Sequence, residues 1–421
     1  MKKKITFLAR LKLFVRDLGP GLVTGASDDD PSGIATYSQA GAGFGLAMLW
    51  TAWLTFPLMA AVQAMCARIG LVTGHGLAKT LKIHYPRPVL YFVILLSFPA
   101  IVLNVGADIE GMGAVAHLLV PFIPAAACSV VFTALLMLVI IKFSYQRVAS
   151  LLKWLCLILL SYILVPFLIH TRWSAVLRRT IIPEIHWDRD FFSMLVAILG
   201  TTISPYLFFW QATMEAEDRA HRVPRVVVNK RLLDSMKTDV NLGMFLSNLI
   251  MFFIILTAGG VLYEAGIRKI DTVEQAAQAL GPLTGKFSYF LFALGVIGTG
   301  CLAIPVLAGS FSYIVAESFN WRQGLDKKFN QAKPFYLMIV VSLLIGLSLQ
   351  FAHVSPIQAL LYTAILYGLT APVMIVLILL IGNNARIMGN HCNGWLSNLL
   401  GFLTLILMTA AAGLLIYYQV H

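Results

Sequence analysis

Two short stretches of this 421-residue sequence put oxygen-bearing side chains inside long apolar runs. Residues 24–37 read TGASDDDPSGIATY, with Asp28, Asp29 and Asp30 in succession before Pro31, Ser32 and Gly33. Residues 200–206 read GTTISPY, a Gly, Thr and Ser cluster that ends at Pro205 and Tyr206. Carboxylates, hydroxyls and freed backbone carbonyls form an all-oxygen donor set, the chemistry that holds hard cations such as Mg2+, Ca2+ and Mn2+. Asp30, immediately before Pro31, is expected at the first interruption itself. Asp28 and Asp29 are either part of the same site or solvated acids of a vestibule on the N-terminal side. At the second interruption Thr201 and Thr202 offer backbone oxygens and Ser204 a hydroxyl. Tyr206 and Gln211, on the half-helix that follows, read as supporting or packing residues.

The elements that must position these groups lie in a membrane. Of all residues 59% are hydrophobic and 12% charged, against roughly 25% charged in soluble domains, and the mean hydropathy is +0.83. A spanning helix needs about 20 apolar residues, and such segments are expected near 18–45, 46–69, 88–117, 122–142, 148–170, 191–214, 239–263, 283–317, 334–352, 355–382 and 393–418. The sequence therefore predicts an all-α integral membrane protein of eleven transmembrane helices, in which a cytoplasmic segment 1–17 precedes one transporter domain over 18–421. The net charge of +12 sorts by side of the membrane, as the positive-inside rule requires, and no nucleic-acid partner is indicated. That rule places the N-terminus in the cytoplasm of a multi-pass cell-membrane protein and, with an odd helix count, the C-terminus outside. Arg172, Arg178, Arg179 and Arg189 run against the trend, because they fall in the expected outer loop 171–190. Cys66, Cys128, Cys156, Cys301 and Cys392 show no paired spacing, so neither a disulfide framework nor a zinc site is expected. His117, His170 and His353, near helix ends, read as interfacial hydrogen-bonding groups.

Pro31 and Pro205 each deny a helix one N–H and clash with the preceding turn. Backbone freed at membrane depth has to be buried in protein or line a watery cavity. The breaks fall in the first and sixth segments, so two five-helix halves, about 18–170 and 191–382, are in register, with 393–418 appended. Because five is odd, the second half enters the membrane from the opposite side. This is the order of an inverted repeat, whose paired discontinuous helices build a midplane site. A charged residue at the bilayer centre costs at least about 2.5–3.5 kcal/mol, so three acids imply compensation by a cation, a proton or water.

The runs GPGLVTGASDDDPSGIATYSQAGAGFG, TTISPYLFFWQ, ADIEGMGAVAHLL and IGNNARIMG together resemble the Nramp family of divalent-metal transporters over nearly the whole chain. The resemblance implies a LeuT-type 5+5 inverted-repeat fold, alternating access, and a metal site between helices 1 and 6. Asp30 and Pro31 fall on the family's Asp-Pro-Gly-Asn motif, which makes Asp30 the expected metal-binding carboxylate and puts Gly33 where the Asn ligand is usual. The helix-6 Met-Pro-His becomes Ser204-Pro205-Tyr206, and Thr201 falls where a backbone carbonyl ligates the metal. Glu110 matches the helix-3 glutamate of the proton route, but the acid three residues earlier is replaced by Ala107, with Asp108 displaced by one. Tyr206 and Gln211 stand where the family has two helix-6 histidines. These departures resemble the Nramp-related magnesium transporters, which lack the selective methionine.

The resulting expectation is a secondary transporter for Mg2+ or Mn2+, importing metal into the cytoplasm with weak or absent proton coupling. No cofactor is expected, because the divalent metal is the substrate. A proton-coupled Mn2+ or Fe2+ importer is the alternative of the same class. An organic-substrate carrier fits less well, because three carboxylates would repel a substrate carboxylate. A membrane enzyme acting on Mg2+-diphosphate would want a second acidic cluster within an apolar run, and helices 5 to 11 offer none.

Overall fold

The computed structural model describes residues 19–143, 157–169, 171–222, 228–352 and 354–420. The expected segment 1–17, the start of the fifth apolar segment, Cys156, His170 and His353 lie outside them. Among the described residues every regular element is a helix. In chain order the principal ones are α1 (Pro20–Asp28), α2 (Pro31–Phe44), α3 (Trp50–Thr73), α4 (Leu77–His84), α5 (Arg87–Leu119), α6 (Ala125–Lys142), α7 (Ser161–Leu168) and α8 (Trp173–Ile181). They are followed by α9 (Arg189–Thr202), α10 (Pro205–Arg222), α11 (Lys230–Ala258), α12 (Ser288–Phe319), α13 (Lys333–Ser348), α14 (Pro356–Gly382) and α15 (Trp395–Val420).

Among the described residues nine helices are long and apolar enough to cross a membrane, where the sequence predicts eleven spans. Two local causes account for the difference. The first segment divides into α1 and α2, each too short alone, and the fifth is described only from Leu157, leaving an apolar helix over Ile158–Leu168. Helix starts follow their capping residues. Asp188 accepts from Phe191 N at 2.8 Å and Asn229 from Leu232 N at 2.9 Å, satisfying donors that a helix N-terminus leaves free. The expected outer loop 171–190 contains α8, whose Trp173 and Leu177 are exposed beside Arg178.

Burial separates a centre from a periphery. The apolar window of Arg189–Ala220 is 89% buried, whereas those of Ala125–Lys142 and Trp395–Val420 are 28% and 33% buried. The broken helices are therefore the inside of the bundle, and α6 and α15 turn most of their surface outward. Helix α1 lies against α11 through a seam of small residues: a Cβ added at Gly25 would overlap the Gly243 carbonyl, and one added at Gly243 would overlap the Gly21 carbonyl. The seam closes at its end where Asp239 of α11 accepts from Gly19 N at 2.9 Å and Gly21 N at 2.7 Å. A carboxylate at that position meets both the free N–H groups and the positive end of the α1 dipole.

Candidate metal site

The first break falls at Asp29 and Asp30. Helix α1 ends at Asp28, Asp29 is its C-cap, and Asp30 is the N-cap of α2 with Pro31 at the first helical position. Asp30 Oδ1 accepts from Gly33 N at 2.7 Å, so the side chain caps the half-helix it precedes. Its other oxygen accepts from the Asn104 side-chain amide at 3.0 Å, and Asn104 Oδ1 in turn accepts from Thr363 Oγ1 at 2.9 Å. Ser32 Oγ donates to the Leu360 carbonyl at 3.1 Å. Helix α2 is thereby fixed to α5 and α14.

Asp28 and Asp29 face the other way. Ser247 of α11 donates to Asp28 Oδ2 at 2.7 Å and lies 3.3 Å from Asp29 Oδ1, while Asp28 Oδ1 has no partner among the described residues. The three acids are 0%, 1% and 2% exposed, which excludes the solvated-vestibule reading of Asp28 and Asp29. Their positions also differ electrostatically. Asp30 sits at the positive end of α2, whereas Asp28 and Asp29 sit at the negative end of α1, where a cation is favoured and an anion is not. No ion pair among the described residues involves any of the three.

The second break falls at Ile203 and Ser204, between α9 and α10. Ser204 Oγ donates to the Thr201 carbonyl at 2.5 Å and is 3.2 Å from the Gly200 carbonyl. It satisfies carbonyls that the end of α9 would otherwise leave free. Thr202 Oγ1 donates to the Ile198 carbonyl at 2.7 Å and pairs with the Tyr37 hydroxyl at 3.2 Å. Two further bonds join the interrupted helices: Tyr206 donates to the Ser27 carbonyl at 3.1 Å, and Thr24 donates to Gln211 Oε1 at 2.5 Å. Gln211 also donates to Glu215 Oε1 at 3.0 Å.

The structure thus brings Asp28, Asp29, Asp30, Thr202, Tyr206 and Gln211 into one buried region joining α1, α2, α9 and α10. Gly33 enters it as a backbone donor to Asp30, and a side chain there would meet the Asp28 carbonyl at 3.3 Å. Asp108 of α5 is fully buried and feels the charge of Asp30. Glu110 is not brought to this region. Two residues on from Asp108, it turns to another face of α5 and lies half-buried in an apolar groove of about 410 Å3 lined also by Leu103, Tyr362 and Leu366. Asn104, Ser247 and Thr363 are the partners that sequence reasoning missed. A polar pair spaced by four in an apolar helix, Asn104 with Asp108, was the available signal. No group of three or more His, Cys, Asp or Glu is placed to hold a metal among the described residues. A cation here would therefore draw on carbonyls, hydroxyls and water as well as carboxylates, which is the habit of Mg2+ and Ca2+.

Comparison with known proteins adds a lineage to this geometry. Residues 21–418 match the family described as natural resistance-associated macrophage protein-like. The chain is 24% identical, over 99% of its length and 96% of the relative's, to the divalent metal cation transporter MntH of Caldanaerobacter subterraneus subsp. tengcongensis. It is 25% identical to the protein of the same name from Verminephrobacter eiseniae, over 89% of this chain and 83% of that one. Among solved structures, an Eremococcus coleocola manganese transporter bound to an aromatic bis-isothiourea compound superimposes with a TM-score of 0.75 at 19% identity, covering 98% of this chain and 89% of that one. The inward-facing conformation of Mhp1 superimposes with a TM-score of 0.56 at 12% identity, over 96% and 91% of the two chains. Both likenesses concern the fold.

Proposed function

The chain belongs to the Nramp family, whose members are transporters and not enzymes, and on that premise we propose that it carries divalent metal cations across the cell membrane by alternating access. The metal is the substrate, and Mg2+ and Mn2+ are both admitted. The observation that carries this reading is Asp30: a carboxylate 2% exposed at a helix break, with no cationic side chain paired to it among the described residues. A buried anion of this kind persists only if a cation or a proton compensates it.

The proposed site lies between the two breaks. Asp30 supplies charge, the Thr201 carbonyl and Ser204 hydroxyl supply neutral oxygens, and Gly33 leaves room for water on the ion. Asp28, Asp29 and Thr202 shape the field around it. Because Mg2+ sheds water reluctantly and no thioether stands at Ser204, the site does not favour softer metals strongly. Proton coupling is weak or absent in this reading. Tyr206 and Gln211 do not titrate near neutral pH, and both are engaged in bonds to α1. The proposed topology keeps the two five-helix halves, with metal moving inward, the N-terminus cytoplasmic and the C-terminus outside.

Uptake into vesicles that contain only the purified protein tests the reading. Mn2+ and Mg2+ entering without any organic substrate is the expected result. Vesicles that stay as impermeable to both metals as protein-free controls would overturn it.

A further inference from the structure

Of the three acids at the first break, Asp28 and Asp29 turn to Ser247 of α11, and Asp30 is the one that brings charge to the α5 side. Gly33 contributes no side chain, and the Ser204 hydroxyl is turned back on the Thr201 carbonyl. A further buried acid lies on the α5 side. Asp108 is 0% exposed, and neither of its carboxylate oxygens has a hydrogen-bond partner among the described residues. No ion pair there involves it.

Its place on α5 says what it faces. Asn104, Asp108 and Gly111 are spaced by four and three residues, so they share one side of the helix. Asn104 donates to Asp30, and a Cβ at Gly111 would lie 3.8 Å from Pro31. The residues before and after Asp108 on that side therefore both touch the break of helix 1. The Ser32 N–H lies near the Asp108 carboxylate without completing a hydrogen bond, and the charge of Asp30 acts on it. A buried carboxylate with no bonded donor from the protein is strongly unfavourable unless a cation, a proton or water meets it.

We propose that Asp108 is a second metal-binding carboxylate, holding the transported divalent cation jointly with Asp30 from its place on α5. The proposal rests on the transport reading and adds to Asp30 a second carboxylate on the α5 side of the break, so that two charges there match a divalent ion. Asn104 is a positioning residue: its amide fixes the Asp30 oxygen nearest α5, and Thr363 fixes the amide. The rest of the coordination shell is carbonyl oxygen and water, as hard cations accept.

The test measures Mn2+ binding to the purified full-length protein and uptake in vesicles for wild type, Asp108→Asn, Asp108→Glu, Asp30→Asn and Asn104→Ala. Asparagine imitates a neutral, protonated aspartic acid, so the first substitution separates an anionic ligand from a buried acid that merely keeps its proton. The expected result is a Kd for Mn2+ raised at least about tenfold in a monodisperse Asp108→Asn protein, a loss of the size seen even for residues one shell removed from a metal. Asp108→Glu is expected to retain binding and to change the paramagnetic resonance spectrum of bound Mn2+, whereas Asn104→Ala weakens binding and leaves that spectrum alone. An Asp108→Asn protein with wild-type Kd overturns the proposal, as does a spectrum unchanged in Asp108→Glu should the Asn variant not fold. Neither result touches the transport reading while Asp30→Asn abolishes uptake. Absence of binding and uptake in the wild type would defeat the transport reading and this proposal with it.

Discussion

Replacing Ser204 by Met separates a residue that selects metal from one that only caps a helix. Ser204 is 1% exposed, and its hydroxyl donates to the Thr201 carbonyl at 2.5 Å. The substitution loses that bond, worth about 1 kcal/mol, and the longer side chain adds roughly 1–3 kcal/mol of overpacking. Both effects act on the protein whichever metal is present, so they lower uptake of Mg2+ and Mn2+ together. A thioether reaching the ion acts on the ratio instead. It contributes on the order of 1–2 kcal/mol to Mn2+ or Cd2+ over Mg2+, a change of about five- to thirty-fold in selectivity. The same substitution releases the Thr201 carbonyl from its hydroxyl partner, which leaves that oxygen free for the metal. Inhibition of radioactive Mn2+ uptake by Mg2+, in vesicles bearing either variant, measures the ratio directly. The ratio of the Mg2+ inhibition constant to the Mn2+ KM is expected to rise by that factor in Ser204→Met. An unchanged ratio, with uptake of both metals reduced alike, would refute the reasoning and leave Ser204 as a cap.

Asp30→Asn keeps the volume of the side chain and its bond from Gly33 but removes the charge. It is expected to abolish uptake in a protein that still elutes as a folded species, and normal uptake would remove Asp30 from the site. Metal entry is expected to leave the interior pH of vesicles unchanged, and metal-driven acidification read by an entrapped dye would show that a proton relay exists. Gly25→Ala forces α1 away from the Gly243 carbonyl and is expected to destabilise the protein by about 1–3 kcal/mol, seen as a lower Tm in detergent. A Tm equal to wild type would mean that the seam is not closely packed in solution.

The spans were legible because hydropathy is a strong signal: segments expected at 88–117, 355–382 and 393–418 appear as Arg87–Leu119, Pro356–Gly382 and Trp395–Val420. Both breaks were legible because Pro31 and Pro205 come with clusters of Gly, Ser, Thr and Asp; proline alone does not divide a span, since Pro57, Pro99, Pro305 and Pro372 stand inside continuous helices. What the sequence did not disclose was direction. Nothing in the string DDD tells that Asp30 turns to α5 and Asp28 to α11, because adjacent residues at a helix break do not keep helical spacing. Ser247 and Asn104 are hundreds or tens of residues away, on spans that looked merely apolar. Glu110 was legible by motif and not by position: the two-residue offset from Asp108 carries it some 200° around α5 and into the apolar groove, since a helix turns once in 3.6 residues.

The division of the acids bears on how the site is used. Helix α1 is fastened to α11 along the glycine seam and through Asp239, whereas α2 is fastened to α5 and α14 through Asp30, Asn104 and Ser32. Asp29 and Asp30 are therefore the joint between two half-helices that share α11, since a Cβ at Gly41 of α2 would overlap the Ile255 carbonyl of that helix, while the side-chain bonds to α5 and α14 belong to α2. Bonds from α10 add to the hold on α1, where Tyr206 donates to the Ser27 carbonyl and Gln211 accepts from Thr24. A divalent cation between Asp30 and the second break adds attraction at this one place, while an empty site leaves buried carboxylates pressing apart. Occupancy then changes the balance between a joint held closed and one free to open, and a ligand shifts such an equilibrium only through the difference in its affinity for the two states.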